Sequence, residues 1–129
     1  MIDTRRCTEF LKMAKEDVVA AQASGVPYSI CFHAQQAAEK YLKAFLAYHG
    51  RPVPNTHDVK RLVEQCVAID GLFGSLLDAA ESLTPFGVEI RYQPTKVQAD
   101  SKCPEVWSAM LSILETVKQR LPSSVVSDE

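Results

Sequence analysis

The sequence predicts an all-α fold, an up-down bundle of about five helices. Three observations carry that expectation. Apolar residues recur at three- and four-residue intervals along most of the 129 residues. The breaks between these runs are short and hold most of the glycines and prolines. The one candidate extended piece, Val88-Glu89-Ile90, has no partner strand elsewhere in the chain.

The elements follow in order. Cys7, Phe10, Leu11, Ala14, Val18 and Ala21 fall on one face of a first helix. Asp3 or Thr4 can cap its start and Gly25 can close it. Pro27 suits the first turn of a second helix. That helix carries Ile30, Ala34, Ala37, Ala38, Tyr41, Phe45 and Tyr48 on one side, and Cys31, Leu42 and Leu46 widen the stripe. So wide an apolar surface places it at the centre of the bundle. Gly50 fits its exit. Pro52 and Pro54 then break the helical pattern, and Asn55, Thr56 or Asp58 can cap the third helix. Val59, Leu62, Val63, Cys66 and Val67 mark that helix, which stops near Gly71. A fourth begins near Leu72 with Phe73, Leu76, Leu77, Ala80 and Leu83. Residues 84–102 show no sustained period. Pro104 reads as the opening of the last helix, with Val106, Trp107, Met110, Leu111, Ile113, Leu114, Val117 and Leu121, and Pro122 ends it. One domain over residues 1–121 is expected, with a frayed acidic tail over 122–129.

Composition narrows the function. The chain is 47% hydrophobic and 23% charged, which fits a packed globular domain and excludes wholesale disorder. Fourteen Lys and Arg against sixteen Asp and Glu give a formal charge of -2. Domains that coat duplex nucleic acid through bulk charge are strongly basic, so that class is excluded, though a local basic patch is not. Residues 29–49, the most apolar stretch, are interrupted by Gln35, Gln36, Glu39, Lys40 and Lys43, so no membrane span is expected. The first residues lack the apolar run of a signal peptide, which points to the cytoplasm. Cys7, Cys31, Cys66 and Cys103 lie far apart with no Cys-x-x-Cys pair. They read as small hydrophobes rather than metal or redox ligands, and no metal or cofactor is expected.

Three polar groups invite a chemical reading. Gln35, Gln36, Glu39, Lys40 and Lys43 form a stripe on the second helix, with Glu39 and Lys43 in the favourable i,i+4 order. The stripe either faces a ligand or partner or is a solvated face, and the solvated face is the expected case. Arg91 beside Tyr92 can clamp phosphate through the guanidinium fork and stack a base on the phenol ring. An Arg91–Glu89 pair with a packed Tyr92 is the plainer alternative. His33, His49 and His57 are not spaced as metal ligands. His57 next to Asp58 reads as an oriented base or as a capping pair, and capping is preferred. Glycine-rich phosphate loops, His-Glu-x-x-His and Gly-x-Ser-x-Gly are absent from the sequence.

The run Phe32-His-Ala-Gln-Gln-Ala-Ala-Glu-Lys-Tyr-Leu-Lys-Ala-Phe-Leu resembles the HEPN family. So do the Gly-x-Pro-x-Pro loop that follows it and Thr56-His-Asp-Val. Ile90-Arg-Tyr resembles the family's Arg-Tyr-Pro segment, although Gln93 here separates Tyr92 from Pro94. The resemblance spans residues 6–121. It implies an all-helical bundle that often dimerises, and it implies one of two roles. Some members look like accessory subunits of a minimal nucleotidyltransferase in a toxin–antitoxin-like pair. Others are metal-independent ribonucleases with Arg, four to six residues, then His. Counting on from Arg91, the histidine positions hold Lys96, Val97 and Gln98, and a lysine with an ordinary pKa of about 10.4 is a poor base near neutral pH.

The sequence therefore points to a non-catalytic binding module that forms a homodimer and takes a nucleotide, an RNA or a nucleotidyltransferase partner. Arg91 and Tyr92 are its candidate ligand contacts by the resemblance. Lys43 and Gln36 join them by their polar position. No catalytic residue is assigned. The rival is a degenerate ribonuclease in which His57 or Lys96 replaces the missing histidine.

Overall fold

The computed structural model describes residues 1–87 and 93–126, with side chains left aside over 93–100. The segment 88–92, with the Val88-Glu89-Ile90 piece, Arg91 and Tyr92, lies outside the described residues, as does 127–129. Among the described residues there are α-helices and 3₁₀ turns and no strand.

Helix α1 is Thr4–Ala23, and Asp3 caps it by accepting from the Arg6 N–H at 3.1 Å. Helix α2 is Pro27–Tyr48, with Pro27 in its first turn. The two run antiparallel: the Asp3 N–H, at the start of α1, donates to the Tyr48 carbonyl, at the end of α2, at 2.9 Å. Gly50 turns the chain out of α2 with φ 67°, a conformation that a Cβ disfavours. At the other helix exit Ser24, rather than Gly25, terminates α1, in extended backbone.

The chain then runs back along α2. His57 reaches Glu39, and helix α3, Val59–Val67, starts there and proceeds toward Leu42, whose carbonyl lies 3.9 Å from the Cys66 thiol. Of the three candidate caps, Asp58 is the one used, accepting from the Arg61 N–H at 3.1 Å. Thr56 supports it by accepting from the Asp58 N–H at 3.1 Å. Replacing Asp58 with alanine removes the cap from a nine-residue helix and is expected to destabilise the fold by about 1 kcal/mol, read as a lower thermal midpoint with the helical content unchanged.

A 3₁₀ turn, Gly71–Leu76, leads into helix α4, Leu77–Leu83, and a second short turn, Thr84–Phe86, follows. Helix α5 is Gln93–Arg120, longer than its apolar period indicates. Pro104 lies inside it instead of opening it. A proline removes a single N–H donor, so a helix packed along its length can run through it. Past Pro122, a four-residue helix α6, Ser123–Val126, replaces part of the expected frayed tail. Val125 and Val126 are half-buried against the core, which gives that turn an apolar reason to stay.

Helix α2 is central, packed between α1 and α5 with α3 along its second half. Its buried Tyr41, Leu42, Phe45 and Leu46 meet Leu11 of α1, Leu62 and Val63 of α3, Phe73, and Met110 and Ile113 of α5 in one core. Cys7, Cys31 and Cys66 are fully buried in it, and burial pushes the Cys31 and Cys66 thiols up to about 12, so they stay protonated. They act as small hydrophobes, in agreement with their place in the apolar runs. No helix among the described residues is long and apolar enough to cross a membrane.

Candidate functional site

The polar stripe of α2 is not a solvated face. Gln35 is 0% exposed, Glu39 2% and Lys43 8%. A buried charge or amide needs partners, because stripping its water without replacing the hydrogen bonds is strongly unfavourable. The neighbouring elements supply them.

Glu39 is the hub. One carboxylate oxygen accepts from the Lys43 ammonium at 2.9 Å, one turn along α2. The other lies 2.8 Å from His57 Nδ1, eighteen residues away in sequence. An ionised carboxylate only accepts, so His57 donates from Nδ1 and keeps Nε2 for other partners. The His57 side chain is 60% exposed, so a buried carboxylate holds an imidazole that stands at the surface.

Gln35 continues the network. Its Nε2 donates to the His57 carbonyl at 2.7 Å, and its Oε1 accepts from Gln36 Nε2 at 2.9 Å. Gln36 Oε1 accepts from Lys40 at 3.3 Å, and Lys40 also donates to Asp17 of α1 at 2.9 Å. The second Asp17 oxygen lies 2.9 Å from His33 Nδ1. Among the described residues no buried side-chain nitrogen or oxygen lacks a partner. The stripe is thus a satisfied network that ties α1 and the loop before α3 onto α2, with His33 and His57 at its two edges.

Gly87 closes this face. A Cβ built there would stand 3.5 Å from both Gln35 Nε2 and the His57 carbonyl oxygen. Gly87 stands four residues before Arg91 in sequence.

Of the four sequence candidates, Gln36 and Lys43 belong to this network. Gln36 is half-buried as a bridge, and the Lys43 ammonium is committed to Glu39. Arg91 and Tyr92 lie outside the described residues. The preferred capping role of the His57–Asp58 pair divides: Asp58 caps α3, and His57 turns away from it to Glu39. The residue that sequence reasoning underrated is Glu39. Its position among Ala38, Tyr41 and Leu42 on a helix destined for the core was the available signal, since a carboxylate there needs more than one lysine. Among the described residues no three His, Cys, Asp or Glu side chains cluster as metal ligands.

An all-helical bundle with this α2 signature defines a class of helical domain. The chain belongs to the HEPN domain family, whose match covers residues 4–120. No curated protein and no solved structure matches the chain.

Proposed function

We propose that this chain is a non-catalytic HEPN module that binds a nucleotide or serves as the accessory subunit of a minimal nucleotidyltransferase. It acts in the cytoplasm as a homodimer, in a toxin–antitoxin-like pair. What supports this reading is the family match over residues 4–120 together with the bonded face of α2, where buried Glu39 holds the surface-exposed His57 imidazole. Arg91 and Tyr92 come to this reading through the family resemblance alone. A guanidinium can fork onto phosphate, a tyrosine ring can stack on a base, and the His57 Nε2 can bond a ligand oxygen.

The test is calorimetric titration of the protein with ATP, repeated on Arg91→Ala, with wild type and variant each also co-expressed with a minimal nucleotidyltransferase. Saturable binding or co-purification that weakens at least about tenfold in Arg91→Ala is the expected result, the size of a lost charge-assisted hydrogen bond. No binding of either kind would sink the reading.

The ribonuclease alternative keeps one specific support, the His57 imidazole oriented by Glu39, which is the arrangement of a general base. Single-stranded RNA incubated with protein and chelator separates the two. The binding module leaves the RNA intact. Cleavage abolished by both His57→Gln and Arg91→Ala would establish the enzyme.

A further inference from the structure

A second cationic feature lies at the other end of α2. Leu46 stands eleven residues beyond Gln35 on that helix, about 16 Å along its axis. There a cleft of about 430 Å³ opens between the loop after α2 and helix α3. Arg51 lines it from the loop, Arg61 and Gln65 from α3, and Leu46, Val53 and Ala68 give it an apolar wall.

The backbone fixes the positions from which both arginines branch. Gly50 makes the turn at φ 67°, and the Arg51 N–H donates to the Leu46 carbonyl at 3.0 Å. Pro52 and Pro54 then fix φ at two of the next three positions. Arg61 sits in the first turn of α3, its N–H bonded to the capping Asp58. No lining residue is acidic. Neither guanidinium has a carboxylate within 4.0 Å among the described residues. Asp70, the acid that acts on His49, is engaged by Arg120 at 3.5 Å and by the Leu72 N–H at 3.0 Å. Burial lowers the His49 imidazole below its ordinary range, with the Arg51 guanidinium acting in the same direction and Asp70 against it.

Two guanidinium groups lining one cleft with no acidic side chain in its lining offer a local excess of positive charge to an anion. We propose that this cleft is a binding site for a small phosphate monoester. Arg51 and Arg61 grip the phosphate, Gln65 offers its amide, and the organic group lies against Leu46, Val53 and Ala68. A planar, five-donor guanidinium suits a dianionic phosphate better than a carboxylate, since its forks can address several oxygens at once. The volume falls within the usual range for a small-molecule site. This site is separate from the polar stripe, so it stands or falls independently of the nucleotide reading above.

The test uses phenyl phosphate as the probe, with inorganic phosphate and phenol as its two halves. Phenyl phosphate should bind saturably at millimolar concentration or below and shift the Arg51 and Arg61 Nε–H resonances. Inorganic phosphate should compete, and phenol should not bind. Arg51→Gln and Arg61→Gln should each weaken binding about tenfold, and the double variant should abolish it. Both side chains are exposed, so the double variant should keep the wild-type thermal midpoint, which separates lost binding from lost fold. Equal binding of phenol, binding unchanged in the double variant, or no saturable binding of phenyl phosphate would each overturn the assignment.

Discussion

Glu39→Ala is expected to destabilise the protein by about 3–5 kcal/mol, the range for removing one partner of a buried ion pair. The Lys43 side chain is 10% exposed and would be left buried with no carboxylate to receive it. His57 would lose its side-chain bond to α2, and the loop before α3 would be held there by the Gln35 bond to the His57 carbonyl and the Arg51 N–H bond to the Leu46 carbonyl. For a chain of this length the loss corresponds to a fall in thermal midpoint of roughly 10–20 °C. The paired variant Glu39→Leu/Lys43→Met gives the sharper reading. Replacing both charges with apolar groups of similar size is often neutral, so the double variant should recover most of the stability lost in Glu39→Ala. A Glu39→Ala protein that melts with the wild type would show that the network carries no weight in the fold.

Phe45→Ala should cost about 3–5 kcal/mol through a different mechanism. Phe45 is 1% exposed, and its ring centroid lies 4.4 Å from that of Phe73 and 4.6 Å from the His49 ring. Truncation leaves a cavity where α2 meets the Gly71–Leu76 turn, and the close packing on every side limits how far it can collapse. Chemical denaturation should show a lower midpoint with little change in slope, since the surface exposed on unfolding is nearly the same. A loss below 1 kcal/mol would mean that this end of the core is far looser than its geometry indicates.

Much of this architecture is legible in the residues. Ile30, Ala34, Ala37, Tyr41, Phe45 and Tyr48 recur with the helical period, and the Gly and Pro positions mark where the chain turns. The centrality of α2 follows from the width of its apolar stripe. Other features are not encoded locally. The upstream part of α5, from Gln93, has no apolar period, and Pro104 imitates a helix start. The tail turn depends on Val125 and Val126 finding the core, which nothing in the adjacent Ser and Asp residues announces.

The site was half legible. Glu39 and Lys43 are visible as an i,i+4 pair because both lie on one helix. The partnership of Glu39 with His57 is invisible, because it depends on the loop after Gly50 folding back along α2. Local spacing favoured a shared capping role for His57 and Asp58, and the two residues in fact serve different ends. Periodicity describes an element's face; it carries no information about which loop residue will be laid against that face.

The most direct measurement is a two-dimensional proton–nitrogen NMR titration of the chain with ATP. The account predicts saturable shifts at the His57 ring, the Gln35 side-chain amide and the Gly87 amide, with the Arg51–Arg61 region moving less. Shifts confined to Arg51 and Arg61, with His57, Gln35 and Gly87 unmoved at saturation, would contradict it.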